Sequence, residues 1–164
     1  MVTKKIKLNE LRTLVKKIIK EEMEMKSNND KKENLKKYII NHIDFDGYDD
    51  LDNISDDEKM KAGYNIFKDE YSYRIKQIGL KNAFNNYLRG LPSWLDIPYS
   101  YYEIREVLNS LGYEIDEDMD DSDVDKLYYN EITSLFINNN IIKEEVEEKN
   151  GLSFEEILKG IKSL

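Results

Sequence analysis

Apolar side chains recur every three or four residues along most of this chain, and this spacing restricts the fold more than any other feature. Residues that far apart share one face of an α-helix. The clearest stripe consists of five residues: Tyr64, Phe67, Tyr71, Ile75 and Ile78. Only two prolines and seven glycines occur in 164 residues, so helix breakers are few. The pattern predicts an all-α protein, a compact bundle of five to seven helices with two acidic loops.

The limits of the predicted helices follow from caps, glycines and changes in periodicity. We predict helices at 8–26, 32–42, 55–78, 80–89, 99–111 and 122–138, and a last one from Ser153 to about Ile161. Ser55 and Glu58 have capping-box spacing, and Gly79 follows a predicted helix end. Residues 141–149 either continue the preceding helix or form a separate turn. The predicted core includes Tyr64, Phe67, Tyr71, Phe84, Leu88, Ile104, Leu108, Leu127 and Leu135.

A polar segment separates the first two predicted helices. Ser27 to Glu33 contains no apolar residue, which is typical of a tether. We therefore divide the chain into an N-terminal amphipathic helix with its tether at 1–30 and a single helical domain at 31–164. One face of the N-terminal helix carries Leu8, Leu11, Val15, Ile18 and Ile19. We expect this face to pack on the domain. Docking on a membrane, a nucleic acid or a partner protein is the alternative.

Charge is distributed unevenly along the chain. The net charge is −9, but residues 1–37 hold 12 basic and 6 acidic side chains, whereas residues 38–164 hold 13 basic and 28 acidic ones. A domain this acidic repels phosphate backbones, so we expect a protein partner and no direct nucleic-acid binding. No apolar run approaches the ~20 residues that span a bilayer, so we expect no membrane association. The absence of cysteine excludes disulfides and suits a reducing cytoplasm.

Two acidic loops stand out within the predicted domain. The first loop covers residues 44–58, which contain eight acidic residues and no basic one, and the second covers residues 113–121. Residues 114–125, from this second loop into the next predicted helix, also contain eight acidic residues. Asp116, Asp118 and Asp120 have the spacing of EF-hand ligands, but the loop lacks the glycine and the bidentate glutamate that an EF-hand requires. We therefore predict no metal site and no cofactor, and interpret the second loop as a solvated segment before a helix N-terminus. Weak, irregular Ca²⁺ or Mg²⁺ binding is the alternative.

The sequence contains little that could catalyse a reaction. His42 is the only histidine, and no metalloprotease, phosphate-binding-loop or nucleophile-elbow motif occurs. We predict no catalytic residues and no enzymatic activity. A metal-dependent enzyme that uses the acidic loops is the least favoured of three functional hypotheses.

An aromatic cluster surrounds the only two prolines, Pro92 and Pro98. The favoured interpretation is a structural corner in which Trp94 fills the joint between two helices. The alternative is a binding surface, because Trp, Tyr and Arg dominate interface hot spots. Together with the second acidic loop, the cluster supplies the candidate partner-binding residues: Trp94, Tyr99, Tyr101, Tyr102, Arg89, Asp116, Asp118, Asp120 and Asp121.

Two segments resemble parts of small proteins encoded by bacteriophages. NELRTLVKKIIKEEM resembles the Lys/Glu amphipathic helices at the termini of such proteins, and AFNNYLRGLPSWLDIPYSYYEIREVLNSLG resembles their helix, Gly-Leu-Pro and Tyr-rich helix. Ile19, Lys20 and Glu21 are similar to the cleavage signal of packaged phage head proteins. The resemblance brings no catalytic role with it.

Taken with the charge, this resemblance leads to a functional hypothesis. We expect a non-enzymatic, acidic, protein-binding accessory protein of a phage, an inhibitor of a host nucleic-acid-binding or defence factor, located in the host cytoplasm. A structural or packaged virion component, located in the virion, is the main alternative. The identity of the partner, the oligomeric state and processing of the N-terminal helix stay open.

Overall fold

A computed structural model of the chain describes residues 8–46, 51 and 53–150, with the backbone alone for 141–150. Six α-helices follow one another within these residues: α1 (Leu8–Asn41), α2 (Asp56–Glu70), α3 (Ser72–Ile78), α4 (Leu80–Arg89), α5 (Tyr101–Ser110) and α6 (Asp121–Asn150). The predicted all-α bundle of five to seven helices is confirmed. The helix predicted from Ser153 and part of the first acidic loop lie outside the described residues.

The first two predicted helices are one continuous helix, α1. The expected break at Ser27–Glu33 is wrong, because this segment is helical throughout. It contains neither glycine nor proline, and a polar sequence without such breakers is stable as a solvated helix when packing holds one of its ends. Leu35, Ile39 and Ile40 are buried and provide that packing. The division of the chain at residue 30 stays a prediction.

The first part of α1 lies at the surface. Every residue from 8 to 30 is exposed, and we call this segment the exposed part of α1. The expectation that its apolar face packs on the domain is wrong for the described residues, because its five side chains are 44–62% exposed: Leu8, Leu11, Val15, Ile18 and Ile19.

The predicted helix 55–78 is divided into α2 and α3 at Tyr71. The capping box at its start is confirmed: Ser55 N–H donates to Glu58 Oε2 at 2.7 Å, and Glu58 N–H donates to Ser55 Oγ at 3.4 Å. Tyr71 leaves the helical region with φ −110° and ψ 16°, and its ring packs against Tyr87, with centroids 4.9 Å apart. Gly79 ends α3 with a φ of 82°, which favours glycine.

The remaining helices match their predicted positions closely. α4 has the predicted limits, α5 begins two residues later than predicted, and α6 extends beyond residue 138 through residues 141–149. The core is aromatic at its centre. The Phe84 ring meets the Phe67 ring edge-on with centroids 4.7 Å apart, and the centroid of the tilted Phe136 ring lies 5.1 Å from that of Phe84. Of the predicted core residues, six are buried: Tyr64, Phe67, Phe84, Leu88, Ile104 and Leu108. Three are partly buried and pack against the core: Tyr71, Leu127 and Leu135.

Candidate functional site

The loop of residues 90–100 turns the chain between α4 and α5, and Trp94 fixes its shape. The Trp94 side chain is 1% exposed, and its Nε1 donates a hydrogen bond to Tyr87 Oη at 2.8 Å. Tyr87 Oη donates in turn to Glu70 Oε2 at 2.9 Å. A buried indole N–H without an acceptor would cost about 1–3 kcal/mol. The chain of hydrogen bonds therefore holds the indole in one position.

Further contacts seat Trp94 against the bundle. The ring lies over Gly63 of α2, where an added Cβ would come within 2.5 Å of Trp94 Cη2. Glycine at this position leaves the room that the indole fills. The loop backbone is also tied to the end of α1, because Asp44 N–H donates to Trp94 O at 2.8 Å and Asp96 N–H donates to His42 O at 2.9 Å.

These contacts make Trp94 a structural residue, which agrees with the interpretation favoured from the sequence. A side chain this deeply buried offers a partner almost no surface. We therefore remove Trp94 from the candidate contact residues, because its role is to hold the corner on which the exposed residues sit.

Three exposed tyrosines lie at the end of this corner loop and at the start of α5. Tyr99, Tyr101 and Tyr102 are 70%, 50% and 71% exposed. Ser100 caps α5 between them: its Oγ accepts from Glu103 N–H at 3.4 Å and donates to Glu103 Oε2 at 2.6 Å. This cap fixes where α5 starts, and so where Tyr101 and Tyr102 stand. The predicted start of this helix at residue 99 does not use the cap, although Ser100 and Glu103 have the Ser-x-x-Glu spacing of a capping box.

Arg105 joins the second acidic loop to α5, one turn after the tyrosines. Its guanidinium donates to Asp116 O at 3.2 Å and also to Met119 O. The same group pairs with Asp121, where Nη2 lies 2.9 Å from Oδ1. Four hydrogen bonds from one rigid guanidinium, made to three residues, hold the loop against the helix. Nothing in the sequence shows which carbonyls Arg105 reaches, because they belong to residues 11 and 14 positions further along the chain.

The four candidate aspartates of this loop have different environments. Asp120 caps α6, since its Oδ1 accepts from Ser122 N–H at 2.7 Å, and Asp121 pairs with Arg105. Asp116 and Asp118 are exposed, and within the described residues no hydrogen bond or ion pair engages either carboxylate. Asp116 and Asp118 are therefore the two whose charges are open to a partner.

Arg89 is partly occupied inside the protein. It pairs with Asp125 of α6, its Nε donates to Asn85 Oδ1 at 3.0 Å, and its guanidinium lies 4.5 Å from the centre of the Tyr129 ring. The Arg89 side chain keeps 38% exposure. It therefore serves mainly as a link between α4 and α6.

An acidic groove of about 420 Å³ runs beside Tyr99, between the end of α1, the corner loop and α5. Its lining includes the carboxylates of Asp96, Glu103 and Glu106. The pKa of Tyr38, which lines the groove, is raised by partial burial and then by the negative charges of Asp96 and Glu103. The pKa of Tyr102 is raised by its hydrogen bond to Glu106 and by the charge of that carboxylate. This side of α5 is therefore electronegative as well as aromatic.

Other features of the described residues carry less chemistry. His42 is partly exposed and its Nδ1 donates to Tyr38 O at 2.7 Å. Within the described part of the chain, no three His, Asp or Glu side chains are grouped so that they could hold a metal ion. No described helix has both the length and the apolar character needed to cross a bilayer. The first acidic loop is described only in part, and Asp57 at its end pairs with Lys36 at 3.3 Å.

Comparison with protein-family models, curated proteins and solved structures finds no match to this chain. The fold and the surface define an all-α protein in which helix α5 carries exposed tyrosines and, through Arg105, holds an acidic loop.

Proposed function

We propose that this protein is a non-enzymatic protein-binding protein of phage origin, which inhibits a host nucleic-acid-binding or defence factor by covering its basic surface. One observation carries the proposal. Arg105 fastens the acidic loop to α5, the same helix whose start exposes Tyr101 and Tyr102. Charge and aromatic side chains thus belong to one continuous, preorganised surface, which lowers the entropic cost of binding.

The composition of this surface fits a basic partner. Residues 113–125 contain eight acidic side chains and no basic one, and the groove beside Tyr99 adds three carboxylates. Such a field speeds encounter with a positively charged surface and repels nucleic acid. Tyr99 and Tyr102 supply rigid contact area at a low cost in side-chain entropy, as interface anchors do.

A photo-crosslinking amino acid in place of Tyr102 tests the proposal in lysate of a bacterial host. The matched control is Tyr73 on α3, which is 70% exposed against 71% for Tyr102 and lies outside the proposed surface. We expect a basic, nucleic-acid-binding protein to be crosslinked from position 102 and not from position 73. Crosslinking to capsid or portal protein would support the virion component instead, and equal crosslinking from both positions would contradict the proposed surface.

Rates measured with the captured partner separate the two parts of the surface. Changing Asp116 and Asp118 to Asn removes two open charges, so we expect slower association and a weaker dependence on salt. Tyr102→Ala should act mainly on dissociation, by tenfold or more if Tyr102 is an anchor. Unchanged association in the Asn variant would contradict the competition for a basic surface.

A further inference from the structure

The groove beside Tyr99 is lined by three carboxylates from two parts of the chain. Asp96 belongs to the corner loop, and Glu103 and Glu106 lie one turn apart on α5. Within the described residues, no lysine or arginine forms an ion pair with any of these carboxylates, because the described cations pair with other acids. Three negative charges therefore face one groove without a basic side chain to balance them.

Two of these carboxylates act on the same point inside the groove. Tyr38 lines the groove from α1, and its pKa is raised by partial burial and then by the negative charges of Asp96 and Glu103. A cation placed near the Tyr38 hydroxyl would be attracted by both carboxylates at once. The charges thus converge, although one belongs to a loop and the other to a helix.

A buried hydroxyl without a partner lies behind this wall of the groove. Tyr128 is 0% exposed, and its hydroxyl acts electrostatically on that of Tyr38. Within the described residues, however, Tyr128 Oη forms no hydrogen bond of acceptable geometry. Most buried polar groups are hydrogen-bonded, and an exception is commonly explained by a water, an ion or a functional role. The Tyr38 wall is therefore incomplete in hydrogen bonding, as expected of a site that has an occupant.

Ring faces and a further acceptor complete the lining. The His42 ring packs on the Tyr38 ring with centroids 4.1 Å apart. His42 Nδ1 donates to Tyr38 O at 2.7 Å, which leaves Nε2 of the neutral ring as an acceptor. Tyr99 adds a second aromatic ring to the lining, and it also belongs to the proposed partner-binding surface. The groove is thus continuous with that surface.

The spacing of these groups favours a large cation. Within the described residues, no three imidazole or carboxylate groups are close enough together to hold a metal ion. A guanidinium is planar, always charged and carries several N–H donors, so it can bond to carboxylates that are too far apart for a metal ion. It also stacks on aromatic rings, whereas a lysine ammonium is a compact point charge.

We propose that the groove receives an arginine side chain of the protein partner. The guanidinium pairs with the carboxylates of Asp96 and Glu103, and its planar face lies against a tyrosine ring. This inference rests on the proposed function, since a basic, nucleic-acid-binding surface supplies the arginine. The groove then selects the partner, whereas the open charges of Asp116 and Asp118 act on the rate of encounter.

Blocked arginine amide, added to the full chain, tests the site without any partner. The readout is the NMR signal of the His42 imidazole, which is unambiguous because His42 is the only histidine. At constant pH and ionic strength, we expect arginine amide to shift this signal saturably. Citrulline amide has nearly the same shape without the charge and should leave the signal in place. Lysine amide should bind more weakly than arginine amide.

Paired variants separate the groove from the net charge of the protein. Asp96→Asn with Glu103→Gln removes two groove charges and keeps a glutamine that can serve the Ser100 cap. Asp116→Asn with Asp118→Asn removes the same number of charges outside the groove. We expect arginine amide to bind about tenfold more weakly to the first variant and nearly unchanged to the second. Both pairs of residues are exposed, so circular dichroism should show unchanged folding.

Several results would overturn the inference. They are an unmoved His42 signal, an equal response to citrulline amide, binding of lysine amide as tight as that of arginine amide, or equal weakening in both variants. The crosslinking experiment is independent of these results. An arginine site without a basic partner would contradict the proposed function alone, and a basic partner with a groove that ignores arginine would contradict this inference alone.

Discussion

The two parts of α1 are built from the same kinds of residue and have opposite environments. Ile39, near the end of the helix, is fully buried, whereas Ile19, twenty residues earlier, is 50% exposed. Both belong to stripes with helical periodicity. The difference teaches that a periodic apolar pattern predicts the helix, but not whether the apolar face of that helix is buried.

The largest difference in stability should appear when isoleucine is replaced by alanine in the buried part and in the exposed part of α1. Ile39→Ala removes a fully buried side chain and should lower the free energy of unfolding by about 2–5 kcal/mol. Ile19→Ala should change it by less than ~0.5 kcal/mol, because the Ile19 side chain is half exposed. Denaturant unfolding followed by circular dichroism measures both. Similar losses in the two variants would show that the exposed part of α1 packs on the bundle.

A smaller difference in stability is expected when a methyl group is added at Gly63, compared with a substitution in the exposed part of α1. Gly63→Ala gains up to ~1 kcal/mol of helix propensity, but its Cβ would meet the Trp94 ring at 2.5 Å. Overpacking typically costs about 1–3 kcal/mol, so we expect a net loss of stability and a lower Tm. Ser27→Ala, on the exposed part of α1, meets no such contact and should leave Tm unchanged. A more stable Gly63→Ala variant would show that the loop carrying Trp94 moves readily enough to accommodate the added Cβ.

The smallest effect should depend on pH. Hydrogen bonds from Ser55 lower the pKa of Glu58 below its ordinary value of 4.5. Because the folded-state pKa is the lower one, the stabilisation is present above pH 4.5 and is lost as pH falls through the folded-state value. Glu58→Ala should therefore be less stable than the parent protein near neutral pH, with the difference shrinking in acid.

A matched change in the exposed part of α1 controls for this effect. Glu21→Ala breaks an exposed pair with Lys17 at 3.8 Å and should leave global unfolding unchanged at either pH. A constant difference between Glu58→Ala and the parent protein at all pH values would contradict the role of the Glu58 charge.

Sequence reasoning succeeded where the signal is local. The Ser55–Glu58 box, the glycines at 79 and 90 and the spacing within α4 predicted helix limits that the structure confirms. The predicted break at Ser27–Glu33 is wrong, because low hydrophobicity alone does not end a helix and the segment contains no glycine or proline. The division at Tyr71 has no local signal in the sequence, since a tertiary contact with Tyr87 accompanies the departure from helical geometry there.

The candidate site depended on contacts that are distant in sequence. The exposure of Tyr101 and Tyr102 followed in part from their adjacency, since neighbouring residues point to different sides of a helix. The fit of Trp94 over Gly63 and the reach of Arg105 to Asp116 and Met119 did not follow from any pattern. Each requires knowing which helices pack together, and periodicity within one segment carries no such information.

The burial of Trp94 also gives the protein a built-in optical probe. It is the only tryptophan in the chain, it is shielded from water, and Tyr87 lies at the end of its indole N–H. Its fluorescence should be blue-shifted in the native state and move to the red when the bundle opens. Because the exposed part of α1 contains no tryptophan, the emission reports on the bundle alone, and fraying of that helix leaves the signal unchanged.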